Sequence, residues 1–321
     1  MRWLALLVYV PLQVVFLPLS FLGMLVQTYR QMVVSKRLGV SQTGIEVIGG
    51  RWTMHIFGLR EDQVTMDLAR VLPNYSGLGM WAVLFPMWVH AQLAGKSVFY
   101  PRVTAAGSED LRDLITARTA YFDSLLEESL GDVAQVVLMG AGYDSRAYGG
   151  FRRDGLSFFE LDQPATQKLK QNALSDAGID IGDTRFVSVD FQNNDAFEKL
   201  AATGYDPTKK TLFLWEGVTL YLEEEDVRRA LRDMKTHSAQ GSVIAADFYS
   251  ARMIAIGKRK AIKKTLESTG EGFGFGLPFE SDHEGRLNGF VESEGLTVDT
   301  AFFMGTINKK GPFMVVTGIR T

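Results

Sequence analysis

Gln135-Val136-Val137-Leu138-Met139-Gly140-Ala141-Gly142-Tyr143-Asp144-Ser145-Arg146 is the stretch on which the fold turns. An apolar run of strand length breaks here into a glycine turn, which predicts the first strand of an α/β sheet and its ligand-binding loop. Two glycines one residue apart let the backbone approach a ligand that any Cβ would block, and a helix starting after them would offer free N–H groups. Twenty residues on from Gly140 and Gly142 stand Glu160 and Asp162, at the end of the second apolar run Ser157-Phe158-Phe159-Glu160-Leu161-Asp162. That is where the ribose hydroxyls of a nucleotide-type ligand find an acceptor. Ser145 replaces the third glycine of the dinucleotide fingerprint, so a mononucleoside without a pyrophosphate fits better. A Gly-x-Gly turn also serves as plain turn punctuation, and the bland reading stays open at this point.

Downstream, strands and helices alternate. The pattern predicts helices near Ala165–Ala177, Asp195–Ala202 and Glu223–His237, with strands at Arg185–Val189, Thr211–Trp215 and Ser242–Asp247. Two further strands, Thr297–Met304 and Phe313–Ile319, flank Asn308-Lys309-Lys310-Gly311-Pro312 and read as a hairpin. The fold class expected is α/β: a doubly wound, mostly parallel seven-stranded sheet with an antiparallel C-terminal hairpin, preceded by an N-terminal apolar helical region. The insert Tyr249 to Leu287 carries a basic helix, Lys258–Lys264, and the run Gly270-Glu271-Gly272-Phe273-Gly274-Phe275-Gly276. It reads as a substrate-side lid with hinges.

Upstream, Trp3 to Tyr29 contains no formally charged residue. A helix of about 27 residues runs about 40 Å, more than a bilayer core requires. Residues 1–34 are therefore a membrane-span candidate, with a helix packed on the catalytic domain as the rival reading, because Pro11 and Pro18 would kink a single span. A cleaved secretory leader fits less well, since the run is long and no small-x-small site follows it. Arg30, Lys36 and Arg37 follow the run, which by the positive-inside rule puts the catalytic part on the cytoplasmic side. Residues 35–107 form an accessory region with an amphipathic helix over Glu61 to Leu72. It also has an uncharged stretch, Ser76 to Gly95, expected to be interfacial or core-facing. A helix over Ser108 to Leu130 then opens the catalytic domain, 108–321.

The chain has 321 residues, 46% hydrophobic, a formal net charge of −3 and no cysteine. This excludes disulfides, thiolate metal sites and a cysteine nucleophile, and the four histidines lack ligand spacing, so no metal is expected. Scattered basic residues argue against nucleic acid as a partner.

The series Ala117-Arg118-Thr119 to Asp123, Gly140 to Arg146, Phe159-Glu160-Leu161-Asp162-Gln163-Pro164, Val189-Asp190-Phe191, Glu216-Gly217-Val218-Thr219-Leu220-Tyr221-Leu222 and Gly241-Ser242 resembles, in order and spacing, the leucine carboxyl methyltransferase family among the class I S-adenosylmethionine-dependent methyltransferases. The resemblance covers about residues 108–250 well, the C-terminal part loosely and residues 1–107 hardly at all. Leu138 stands where many class I enzymes carry an acid, although the resembled family is also apolar there. The resemblance implies S-adenosyl-L-methionine as cofactor, with Arg118 pairing with its carboxylate and Gly140 and Gly142 passing its methionine part. It further implies Asp162, with Glu160, at the ribose, Asp190 and Phe191 at the adenine, and Glu216 facing the amino end. A guanidinium suits a carboxylate, a carboxylate suits two vicinal hydroxyls, and an aromatic ring suits a purine.

Methyl transfer needs an in-line nucleophile and exclusion of water more than side-chain chemistry. A carboxylate acceptor is ionised at pH 7 and needs no base. A hydroxyl acceptor would need one, for which Tyr221, Tyr249, His283 and Asp247 are candidates because they follow strand ends or lie in the insert. The function expected is an O-methyltransferase acting on a carboxylate or hydroxyl of a lipophilic small molecule met at the membrane, with Trp81, Trp88, Phe273 and Phe275 walling an apolar mouth. Methylation of a protein C-terminal carboxylate is the alternative within the family; a dinucleotide-dependent oxidoreductase and a non-catalytic membrane scaffold are the alternatives outside it.

Overall fold

The computed structural model describes residues 2–190, 195–257, 272–307 and 310–321. Its centre is a seven-stranded sheet of order β3-β2-β1-β4-β5-β7-β6. The strands are β1 (Gln135–Met139), β2 (Ser157–Asp162), β3 (Arg185–Ser188), β4 (Thr211–Trp215), β5 (Val243–Tyr249), β6 (Thr297–Met304) and β7 (Met314–Arg320). The first five are parallel, while β7 runs antiparallel to both β5 and β6. Val137 faces Phe159 on one side and Phe213 on the other. Strand residues alternate between the two faces: Val136, Leu138, Leu212 and Leu214 enter one core, Val137, Met139, Phe213 and Trp215 the other. A strand buried on both faces is apolar wherever no partner satisfies a polar group, which is why β1 reads as an unbroken run after Gln135, whose amide hydrogen-bonds Asp206 and Thr211.

Among the described residues the helices are α1 (Arg2–Tyr29), α2 (Ser35–Leu38), α3 (Thr43–Ile56), α4 (Gln63–Val71), α5 (Gly77–Ala94), α6 (Leu114–Ser129), α7 (Pro164–Asp176), α8 (Ala196–Ala202), α9 (Glu224–Thr236), α10 (Ala251–Gly257) and α11 (His283–Glu292). A π-helical turn, Arg30–Val34, joins α1 to α2. Helices α3, α4 and α6 share the core that covers the Val136 face, so the chain upstream of residue 108 is built into the same core as the sheet.

Two local expectations are corrected. The helix predicted from Ser108 begins only at Leu114, because the Asp113 carboxylate accepts from Asp110 N at 3.0 Å and from Arg102 Nε and Nη2 at 2.7 Å. These bonds hold the preceding residues in turns. No α-helix follows the glycine loop either: only a 3₁₀ turn, Arg146–Tyr148, stands there. Asp144 Oδ1 accepts from Arg146 N at 2.8 Å, and the side chains of Arg146 and Tyr148 turn inward instead of continuing a helix. Helix α4 supports this bend: its N-cap Asp62 accepts from Thr65 N at 2.9 Å and from Ser145 Oγ at 2.7 Å. The basic helix Lys258–Lys264 and the residues Gly270 and Glu271 fall outside the described residues, as does Phe191.

Candidate functional site

A cavity of about 550 Å³ opens at the carboxyl ends of β1, β2 and β4, where the strand order reverses between β1 and β4. Ligands of doubly wound sheets bind at this switch point, and the volume lies within the range of small-molecule sites. Gly140 and Gly142 line it with φ of +74° and +47°, backbone that favours glycine. A Cβ on Gly142, which lines the cavity, would meet only the Gly140 carbonyl, at 3.9 Å. Asp162 fixes this loop, accepting from Gly142 N at 2.5 Å and from Gln163 N at 2.6 Å. Burial raises the Asp162 pKa, and those two N–H groups oppose the rise.

Of the residues expected at the site, Arg118, Gly140, Gly142, Asp162, Asp190, Glu216, Tyr221 and Tyr249 line this cavity. Glu160 does not. It lies two residues, about 6.6 Å, below Asp162 on β2, where Lys170 Nζ donates to both its oxygens at 2.7 Å and Tyr148 Oη donates at 2.6 Å. His283 is also elsewhere, at the start of α11, edge-on to Phe303 with ring centres 4.5 Å apart. Of the aromatics expected to wall an apolar mouth, Phe273 lines the cavity with Tyr221, their ring centres 5.7 Å apart. Phe275 is buried on the far face against Phe248 and Phe290, and Trp81 and Trp88 pack among Trp52 and Phe85. The apolar side of the cavity is made instead by Val40, Val47, Ile48, Leu114, Ile115 and Met253.

Beneath the cavity lies a charge network that the motifs did not reveal. Glu216 Oε2 accepts from Arg51 Nη2 at 2.9 Å and from Arg146 Nη1 at 2.7 Å, while Oε1 accepts from Arg118 Nε at 3.1 Å. Asp144 Oδ2 accepts from Arg51 at 2.9 Å and Arg146 at 2.6 Å; Asp123 bridges Arg146 (2.7 Å) to Arg60 (2.6 Å), and Arg60 pairs with Asp62. Burial pushes the Glu216 carboxyl up, but Arg51, Arg146 and Arg118 outweigh it and hold the pKa at about 2. Four guanidiniums, from Arg51, Arg60, Arg118 and Arg146, thus face four carboxylates, from Asp62, Asp123, Asp144 and Glu216. A fifth acid, Asp247, is fully buried and accepts from Gly217 N at 3.0 Å; burial raises its pKa to about 7, against the pull of Arg118 3.6 Å away. The Tyr249 hydroxyl accepts from Arg118 Nη1 at 2.7 Å and donates to Asp247 at 3.4 Å. Gly217 (φ +70°) is required beside them, since a Cβ there would come within 3.0 Å of Arg118 Nη1.

Arg51 is the residue that sequence reasoning missed. It comes from α3, in the mixed stretch before the motifs, and only its place beside Trp52 in an otherwise apolar turn hints at burial. Its side chain lines the cavity, is 2% exposed, and leaves Nε without a hydrogen-bond partner among the described residues.

Comparison with known proteins agrees with this geometry. Three relatives, all provisionally named S-adenosyl-L-methionine-dependent methyltransferases, resemble the chain. One from Mycolicibacterium smegmatis is 32% identical over 213 residues, 65% of this chain and 64% of that protein. A second, from Mycobacteroides abscessus, is 30% identical over 58% of this chain and 63% of its own length. The third, from Mycobacterium avium, is 34% identical over 44% and 46%. The chain thus spans less than two thirds of each relative. Among solved structures, a DUF574 family protein from Streptomyces avermitilis aligns with a TM-score of 0.46 at 14% identity, covering 64% of this chain and 83% of that one. The match to the family model for leucine carboxyl methyltransferase runs over residues 67–235, starting ahead of the motifs quoted above and taking in more than half of the chain, and the protein belongs to that family.

Proposed function

We propose that the protein is an S-adenosylmethionine-dependent O-methyltransferase whose acceptor is a carboxylate or hydroxyl of a lipophilic small molecule. The observation that carries the reading is the two-sided cavity, where the glycine loop and Asp162 face an apolar chamber closed by α3, α6 and Phe273. The residues fit the cofactor. Asp162 keeps lone pairs for two vicinal hydroxyls, Gly142 leaves room where a Cβ would stand, and the buried, unpartnered Arg51 Nε beside Arg118 suits a carboxylate. S-adenosylmethionine, when bound, supplies an electrophilic methyl group. This chain's part is to orient the two ligands and exclude water. A carboxylate acceptor needs nothing more. For a hydroxyl acceptor the group at hand is Tyr249, which burial keeps protonated, with Asp247 behind it to take a proton.

The missing helix after the glycine loop speaks against a dinucleotide, whose pyrophosphate needs that helix N-terminus. The apolar chamber favours a small molecule over a protein C-terminus. We assign the work to a membrane surface, with the catalytic part on the cytoplasmic side, because α1, uncharged from Trp3 to Tyr29, carries large exposed apolar side chains and basic residues follow it. On the same reading 1–34 is an anchor, 35–107 an accessory region and 108–321 the catalytic domain.

Calorimetric titration with S-adenosylmethionine against NAD tests the cofactor. Arg118→Ala and Asp162→Ala should each weaken binding tenfold or more, since each removes charged hydrogen bonds worth about 1.5–3 kcal/mol. Transfer of a labelled methyl group to a lipid extract, compared with a proteome extract, tests the acceptor. Unchanged affinity in both folded variants, or label in protein alone, overturns the corresponding half.

A further inference from the structure

Helix α1 is fastened by one narrow stripe. Tyr9, Phe16, Ser20, Gly23 and Gln27, three to seven residues apart, meet α5 along its length. The Tyr9 ring stands 5.5 Å from His90, Phe16 stacks on Phe85 at 5.0 Å, and Ser20 Oγ donates to Ala82 O at 2.8 Å. Gly23 and Gly79 let the backbones touch: a Cβ on Gly23 would lie 2.5 Å from Gly79 O. Gln27 Oε1 accepts from Ser76 N, and Arg30 donates to Tyr75 O at 2.6 Å. Ala5 is buried with this stripe and Leu6, Leu12 and Gln13 flank it half-buried, while the opposite side looks outward: Leu7, Val10, Val14, Leu17, Phe21 and Leu25 are each at least half exposed. An apolar surface of this extent marks an interaction site. The exposed arc takes in most of the helix circumference, whereas a second copy or a folded partner would cover one stripe. Basic residues begin where the apolar run ends, with Lys36 and Arg37 exposed, as expected at headgroup level. The partner whose chemistry fits is a lipid bilayer.

The same contacts decide how α1 lies in it. Helix α5 is bound along its own length to the layer beneath, by Trp81 on Trp52 (5.7 Å), by Leu84 in the core and by Trp88 Nε1 donating to Ile56 O at 3.2 Å. Packed helices lie about 8–10 Å apart. An α1 standing upright across a hydrocarbon core of about 30 Å would therefore draw α5, α3 and the charged α4, with Asp67 and Arg70, into lipid. Pro11 and Pro18 both sit on the exposed side and leave the carbonyls of Leu7 and Val14 without helical donors, a cost in hydrocarbon that headgroup depth removes.

We propose that α1 lies in the plane of the membrane, sunk into one leaflet as a monotopic anchor, and that it seats the mouth of the cavity at headgroup level. The chain passes from α1 through the π-turn and α2 directly into the cavity wall, where Gly39, Val40, Ser41, Thr43, Gly44 and Val47 line the space. A lipophilic acceptor then moves sideways from the leaflet into the site without crossing water. This rests on the membrane-surface reading above.

The chain has no cysteine, so single-cysteine variants of the full-length protein can be labelled without background. Leu7→Cys, Val14→Cys, Phe21→Cys and Leu25→Cys, each carrying an environment-sensitive fluorophore, are diluted from detergent onto preformed phosphatidylcholine–phosphatidylglycerol vesicles, and depth is read by spin-labelled lipids. A flat helix puts all four at one shallow depth and leaves Arg2→Cys and Arg37→Cys both reactive to an impermeant maleimide outside. A depth profile deepest at Val14, with Arg2→Cys protected, overturns the flat orientation while the membrane reading stands. Labels that stay in water, or are buried in a dimer without vesicles, overturn both.

Discussion

Glu216→Gln tests the charge network most directly, because three guanidiniums converge on that one carboxylate. Glutamine keeps the volume and loses the charge that Arg51, Arg146 and Arg118 share at 2.9, 2.7 and 3.1 Å. Glu216 and the three guanidiniums are each buried, so the remaining cations are left partly unpaired in a low-dielectric interior. Removing one partner of such a buried set costs about 3–5 kcal/mol, a large part of the 5–15 kcal/mol that typical domains possess. At about 2–4 °C per kcal/mol, the melting temperature should fall by roughly 10 °C. Denaturant titration of wild type, Glu216→Gln and the control Glu224→Gln measures this. Glu224 holds Arg228 in an exposed pair, worth at most about 1 kcal/mol. The pH dependence gives an independent check. With the folded pKa of Glu216 at about 2, below its ordinary 4.5, its contribution is complete above about pH 4.5 and is lost as pH falls towards 2. The gap between wild type and variant should hold from pH 5 to 8 and narrow in acid. A cost no larger than that of the control would refute the view that Glu216 anchors the network.

Asp247→Asn should flatten the pH dependence of stability. A folded pKa of about 7 against 3.8 gives stability that is complete below about pH 4 and lost as pH rises through 7, at about 1.4 kcal/mol per pH unit. Parallel wild-type and variant curves between pH 4 and 8 would contradict this. Gly274→Ala would drive a Cβ to within 2.2 Å of Leu222 O and displace the Phe273 wall. Steady-state kinetics should show a raised acceptor KM with S-adenosylmethionine affinity kept, and loss of cofactor binding instead would disprove the division of the cavity. Gly23→Leu should lift α1 off α5 and cost about 1–3 kcal/mol, as overpacking does. Thermal unfolding at wild-type temperature would show that the Gly23–Gly79 approach holds nothing.

Local patterning by itself determined the sheet. The central strands were legible because a parallel strand buried on both faces is apolar nearly throughout: Thr211–Trp215 stands where its run put it, the edge strand Thr297–Met304 was marked by alternation instead, and Gly140, Gly142 and Asp162 meet at the loop their spacing implies. Chemistry written in consecutive residues can be read from a sequence. What only the tertiary structure decided are pairings between distant segments. Arg51 reaches Glu216 across 165 positions, and no local signal marks a partner that far away. Glu160 and Asp162 differ by two residues on one strand, yet Lys170 takes the first and the loop takes the second. The length of α1 and its lack of charge from Trp3 to Tyr29 were plain in the sequence, but composition says nothing of which helix it packs along. The approach of α1 to α5 through the glycine pair at 23 and 79, and the packing of α5 against Trp52, came only with the tertiary structure, because contact geometry depends on where chain segments meet and composition does not.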